Sequence, residues 1–216
     1  AREWVVRLEN RGEKDTEIIE GVWSLDGRLA GAAGDAVVLH YALGDHNSAE
    51  SFAPQRKELA AGEKAVFSPR AGRSSDPYLP FFNVQGKGGG RMIAIGWSGQ
   101  WQAEFERNAD GSLALRAGLQ TAHFRLRPGE KIRIPRIVTI DWKGEDPLAG
   151  NNRLRQFMLS HVFPRRKGEL VLPPICGSVG VTDPDGSYEG PHIRIMPFYG
   201  RCGIEVFWSD MDPQQW

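Results

Sequence analysis

Two carboxylates stand out near the end of the 216-residue chain. Asp210 and Asp212 follow an apolar run, Ile204 to Trp208, that is interrupted only by Glu205. Carboxylates at the carboxyl end of a buried strand can accept hydrogen bonds from sugar hydroxyls, and an apolar wall strengthens those bonds. The aromatic content points the same way. Seven Trp is high for this length, and an indole offers flat area on which the C–H face of a sugar can stack. An Asp-Met-Asp-Pro segment suits a solvated loop equally well, so the residues alone leave both readings open.

The other chemical candidates are weaker. Gly72 to Phe82 (GRSSDPYLPFF) is rich in turn formers yet ends in prolines and phenylalanines that water does not favour, so it must pack against something. It reads either as a flap over a neighbouring site or as a compact loop packed on its own side chains. Asp183-Pro184-Asp185-Gly186 resembles the opening of a calcium loop but lacks the remaining ligand spacing, and Asp-Gly is an ordinary turn, so no metal site is expected. The five histidines are scattered, His40 and His46 being the closest pair, and read as structural. Gly86 to Gly90 (GKGGG) lacks the order of a phosphate loop and reads as a hairpin turn. No spacing supports a Ser-His-Asp or Cys-His arrangement.

The elements that must position these residues centre on Arg91 to Trp142. Met92 to Trp97 is an apolar strand. After the turn Ser98-Gly99-Gln100, Trp101, Ala103 and Phe105 alternate with Gln102, Glu104 and Glu106. Asn108 to Gly111 supplies hairpin chemistry, then Leu113, Leu115 and Ala117 alternate again. Pro128-Gly129 turns the chain into a last strand carrying Ile132, Ile134, Ile137 and Ile140. Period-2 alternation with turns about every ten residues predicts antiparallel sheets with one face buried, the spine of a β-sandwich. Upstream, strands are expected at residues 1–9, 18–25, 37–41 and 65–67, with 44–54 irregular.

A helix is expected next, with Asn151 or Asn152 as its cap, an apolar face at Leu154, Phe157, Met158 and His161 or Val162, and Pro164 as its end. Arg165 to Glu169 reads as a charged connector, which places a domain boundary there: 1–165 and 166–216. Beyond it, Ile175 to Gly177 and Ile204 to Trp208 are short strands separated by a long Gly/Pro loop. Short apolar runs without alternation predict strands covered on both faces, as in a parallel barrel, whose working groups lie at the strands' carboxyl ends.

Composition sets outer bounds. Lys+Arg and Asp+Glu are both 27, a balance that argues against nucleic-acid or membrane-surface partners. No apolar run approaches the roughly 20 residues that span a bilayer, and no basic-then-apolar leader opens the sequence. Cys176 and Cys202 are expected as two buried free thiols rather than a bridge.

The motifs together resemble a known family. Gly72-Arg73-Ser74-Ser75 with Pro80-Phe81-Phe82, Ala94 to Trp101 (AIGWSGQW), Pro128-Gly129-Glu130 with Pro135-Arg136, and Asn152 to Phe157 (NRLRQF) are similar to the N-terminal region of glycoside hydrolase family 36. These are the melibiase-type α-galactosidases and α-N-acetylgalactosaminidases. Pro173-Pro174 with Gly203 to Asp210 (GIEVFWSD) is similar to the family's first two barrel strands.

The resemblance implies a β-supersandwich (1–165, with its linking helix) followed by the start of a (β/α)8 catalytic barrel (166–216). It implies that Asp210, with Trp208, binds hydroxyls of a terminal galactose-like sugar; Asp212 stays a substrate-binding candidate on its carboxylate chemistry alone. Met211, Asp212 and Pro213 stand where the family has Ala-Gly-Trp, and in another alignment Ser209 replaces a first aspartate. No position matches the family's nucleophile or acid aspartate, so no catalytic residue is assigned and this stretch alone is expected to be inactive.

The leading expectation is therefore the N-terminal portion of a retaining α-galactosidase-like hydrolase. Such an enzyme works through two carboxyl groups about 5 Å apart. Its expected partners are an oligosaccharide or glycoside substrate and further copies of itself, without a cofactor. The alternative is a non-catalytic carbohydrate-binding or structural β-sandwich.

Overall fold

A computed structural model describes residues 1–31, 35–45, 48–178, 183–187 and 189–208. The chain divides into two compact units, Ala1–Val162 and Phe163–Trp216. Among the described residues the first unit contains twelve strands. They are β1 (Arg2–Glu9), β2 (Ile19–Glu20), β3 (Trp23–Leu29), β4 (Val38–Ala42), β5 (Pro54–Glu58), β6 (Lys64–Phe67), β7 (Phe81–Gly86), β8 (Gly89–Gly96), β9 (Trp101–Arg107), β10 (Leu113–Leu119), β11 (His123–Phe124) and β12 (Lys131–Lys143). A six-stranded sheet in the order β1-β12-β8-β7-β4-β5 faces a four-stranded sheet in the order β3-β10-β9-β6, and β2 and β11 form a small ribbon. The pairings within these sheets are antiparallel, as the alternation predicts.

The two sheets enclose one core. Trp101, Ala103 and Phe105 of β9 point into it, opposite Phe82 of β7 and Ile95 of β8. Phe82 lies 5.9 Å from Trp101 and 5.0 Å from Phe105, ring centre to ring centre, with Phe67 5.0 Å from Phe82. Fully burying a side chain of this size contributes about 1.5–3 kcal/mol. The expected hairpin turns are present: β7 meets β8 at Gly86 and Gly89, and β9 meets β10 across Asn108 to Gly111, where Gly111 takes φ 85°.

Strands β8 and β12 depart from the expectation of one buried face. Ile93, Ile95 and Ile137 face the sandwich core, while Met92, Ala94, Val138, Ile140 and Trp142 bury against a helix on the other side. That helix, α1 (Leu148–Phe157), continues into a π-helical turn, Met158–Val162. It starts a turn earlier than Asn151. Pro147 holds the N-cap position, and the Asp146 carboxylate accepts the Leu148 N–H at 2.9 Å. Proline suits a helix start because its missing donor is not needed there.

A buried polar link fixes α1 to the sheet. Asn83 of β7, 1% exposed, accepts the Trp142 indole N–H at 2.8 Å and donates to the Pro147 carbonyl at 2.9 Å. Gly150 sits over the pair, where a Cβ would lie 2.6 Å from the indole nitrogen.

Two further strands differ from the sequence reading. β5 begins at the last residue of the stretch expected to be irregular and runs through residues for which no strand is expected. Its residues PQRKE carry no apolar alternation, because it is an edge strand paired only to β4 and protected by charge. The strand expected at 18–25 is split at Gly21, whose φ of 59° ends β2 before β3 begins.

In the second unit, β13 (Arg165–Arg166) and β14 (Glu169–Leu170) form a hairpin through Lys167 and Gly168, both at positive φ. Next come β15 (Cys176–Ser178), the helix α2 (Glu189–Arg201) and β16 (Val206–Trp208). β15 and β16 are parallel, with Cys176 opposite Val206 and Ser178 opposite Trp208. The helix corrects the expected Gly/Pro loop. Pro191 is harmless in a first turn, whose N–H groups have no helical partner, whereas Pro197 is accepted inside the helix at a cost of about 3 kcal/mol.

The cysteines are also a correction: both are free and exposed, not buried. Nor do the described residues cover the short strands on both faces. Val206 and Trp208 are exposed, as are Leu172, Ile175, Ile193 and Phe198.

Candidate functional site

The parallel pair β15–β16 brings two carboxyl ends side by side, and one of the expected sugar-binding residues, Trp208, is at one of them. Trp208 ends β16 directly beside Ser178 and is 62% exposed. Asp210 and Asp212 lie outside the described residues. Close packing makes the parallel pair possible: a Cβ on Gly177 would lie 2.7 Å from the Tyr199 ring of α2. Phe207 is gripped from the same helix, with its ring centre 4.8 Å from His192 and 6.2 Å from Tyr199.

Part of the chain between β15 and α2 is a self-contained turn. The Asp183 N–H donates to the Ser187 carbonyl at 2.9 Å, and the Gly186 N–H returns to the Asp183 carbonyl at 2.8 Å. The Ser187 N–H donates to the Asp185 carboxylate at 2.9 Å and holds its pKa below the usual carboxylate range. The Asp183 carboxylate accepts Arg194 of α2 at 2.5 Å. These carboxylates are engaged locally, and among the described residues no three His, Cys, Asp or Glu side chains gather as a metal site.

The Gly72–Phe82 loop is sewn to the sandwich. The Trp101 indole donates to the Ser74 carbonyl at 2.8 Å, the Asp45 N–H to the Ser75 carbonyl at 3.0 Å, and the Gly72 N–H to the Gln100 side chain at 3.0 Å. Tyr78 packs on Tyr41 and Phe67. Gly44 is required beside it, since a Cβ there would lie 1.6 Å from the Ser75 oxygen. The result is a packed loop whose tip, Ala71 to Arg73, is exposed, with Ala71 itself at φ 51°.

The described histidines serve the scaffold. His40 pairs with Gln85 at 2.8 Å, His123 with Glu20 at 2.6 Å, and His161 packs on Phe157. His46 lies outside the described residues. A groove beside α1 has no local sequence signature, because its walls come from three separated segments: Phe81 to Ser98, Arg133 to Val138 and Leu154 to Val162.

An antiparallel sandwich, a helix packed on its outer face, and then a β-α-β unit with parallel strands define the class of this chain. It is the fold of the N-terminal region of the GH36 α-galactosidases. The galactosidase domain of the α-galactosidase–sucrose kinase AgaSK aligns over 95% of this chain with a TM-score of 0.71 and 19% identity. The GH36 α-galactosidase AgaA of Geobacillus stearothermophilus aligns over 93% with a TM-score of 0.70 and 18% identity. An α-galactosidase of Lactobacillus brevis aligns over 93% with a TM-score of 0.68 and 18% identity. This chain spans only 28%, 28% and 27% of those three structures. No protein-family model and no curated protein matches the sequence. Among the described residues no helix is long and apolar enough to cross a membrane.

Proposed function

We propose that this chain is the N-terminal portion of a retaining GH36-type glycoside hydrolase that cleaves terminal α-linked galactose-type sugars. The observation that carries the reading is the extent of the alignment. It covers 93–95% of the chain, including the β-α-β unit, where a free-standing sandwich would match only the first part. The second unit supports it. Its exposed Val206, Trp208, Ile193 and Phe198 are the surface that further βα units of a barrel would cover.

Variants of the Geobacillus enzyme have been captured with raffinose and stachyose. An α-galactoside of that kind is the substrate class proposed here. In the complete barrel, Asp210 would accept hydrogen bonds from the terminal sugar's hydroxyls, with Trp208 and Asp212 beside it. Asp210 would hold the sugar without attacking it. The Gly72–Phe82 loop, with its exposed tip, is the segment of the sandwich suited to reach a neighbouring copy's site in a homo-oligomer.

The test is made in the full-length protein. Losing a charged acceptor from a desolvated site costs about 2–4 kcal/mol, so Asp210→Ala should lower kcat/KM for an aryl α-galactoside by roughly two to three orders of magnitude. Added azide should not rescue it. Rescue with a glycosyl azide product would make Asp210 the nucleophile, and a change below about threefold would make it a solvated loop residue. The 216-residue chain alone should show no turnover, since a retaining mechanism needs two carboxyl groups in one site.

A further inference from the structure

We infer that the groove between α1 and the outer face of the six-stranded sheet is a binding site for a small amphiphilic anion, an apolar body carrying one carboxylate or sulfonate. The groove encloses about 460 Å3, within the usual range for small-molecule sites. Its body is apolar, made by Phe81, Ala94, Val138, Leu154, Phe157 and Met158.

The charged residues that line the groove are both cationic. Arg133 and Arg136 contribute guanidinium groups, and among the described residues no acidic side chain lines the groove. Arg136 gives one nitrogen, Nη1, to Glu3 at 3.3 Å, which leaves its remaining donors for another acceptor. Arg133 is exposed and stacks over Trp97 at 5.5 Å. Among the described residues no carboxylate lies within ion-pair distance of it. The indole holds the guanidinium from one side, and its N–H groups turned away from the ring can donate to a planar or tetrahedral anion.

Apolar walls ending in two such groups are complementary to a molecule with a tail and an anionic head. The neutral sugar proposed for the barrel mouth has neither. This site is therefore independent of the hydrolase reading, and the fate of one leaves the other standing.

Octanesulfonate is a suitable probe, with octanol as its uncharged counterpart. Two-dimensional NMR of the whole chain reads the Trp97 indole N–H and the Met158 methyl directly. Both should shift saturably with octanesulfonate, while the Trp23 indole of β3 stays in place. Octanol should bind about tenfold more weakly or worse, and Arg133→Gln and Arg136→Gln should each weaken octanesulfonate about tenfold, the usual loss for one charge-assisted bond. Both variants change side chains at the rim, so folding is retained. Equal affinity for octanol, unchanged affinity in the double variant, or shifts spread equally over Trp208 and Ile193 would overturn the proposal.

Discussion

Asn83→Ala isolates the polar link that seats α1 on the sheet. Asn83 is buried and makes two short bonds, accepting the Trp142 indole N–H and donating to the Pro147 carbonyl; a third, to the Asn151 side chain, is longer at 3.3 Å. Removing the amide strands the indole N–H in an apolar setting, among Met92, Val138 and Ile140. An orphaned buried donor costs about 1–3 kcal/mol, and the lost carbonyl contact and small void add to it. The expected loss is about 3–5 kcal/mol, large against the 5–15 kcal/mol that holds a typical domain together. Urea denaturation followed by far-UV circular dichroism measures it, with Asn151→Ala as a control expected within about 0.5 kcal/mol because that side chain is exposed. Trp142→Phe removes the donor, so Asn83→Ala in that background should cost about 1–2 kcal/mol less. A single-mutant loss under about 1 kcal/mol, or zero coupling, would refute the claim that this link seats the helix.

Gly44→Ala puts a methyl group against the Ser75 carbonyl, and exchange of the Asp45 amide, which donates to that carbonyl, should accelerate about tenfold or more, the equivalent of about 1.4 kcal/mol. Gly177→Ala drives a methyl group into the Tyr199 ring at a cost of about 1–3 kcal/mol, and should speed exchange of the Val206 amide, which donates to the Ile175 carbonyl at 3.2 Å. The Asp110 carboxyl is lowered from 3.8 to about 2, first by the Ser112 hydroxyl and N–H and then by Arg28. A depressed acid stabilises the folded state above its ordinary pKa, so the wild-type advantage over Asp110→Asn should be complete above about pH 5 and fade as pH falls toward 2. Urea midpoints at four or five pH values measure that slope, and a constant difference would deny the linkage.

The sandwich was legible wherever a strand has one wet face. β9 and β10 show it best, because buried Trp101, Ala103 and Phe105 alternate with solvated partners and the turn between them is spelled in Asn, Asp and Gly. β5 was not legible, since an edge strand's requirement is to repel other strands and charge does that without an apolar pattern. α2 was hidden by its own prolines. Local propensity argues against a helix through Pro197, yet packing of His192 and Tyr199 on Phe207 outweighs it.

The two candidate sites differ in legibility for a physical reason. A site at the end of one strand is written in consecutive residues, so Trp208, Asp210 and Asp212 can be picked out together, and the fold does set Trp208 at a carboxyl end beside a parallel neighbour. The groove under α1 has no such local signature. Arg133 and Trp97 are far apart in sequence, and each taken singly reads as a surface cation and a core aromatic. Only the register that sets Arg136 opposite Gly96 brings the three segments together, and that register follows from burying Ile137 against Ile95 on the opposite face. The requirement that closes the core thus also sets Arg136 on the groove, and the irregular pairing of β1 with β12 between Arg136 and Arg133 lets a second guanidinium line it despite the odd spacing. A one-residue slip of β12 would turn Ile137 outward and disperse the groove along with the core.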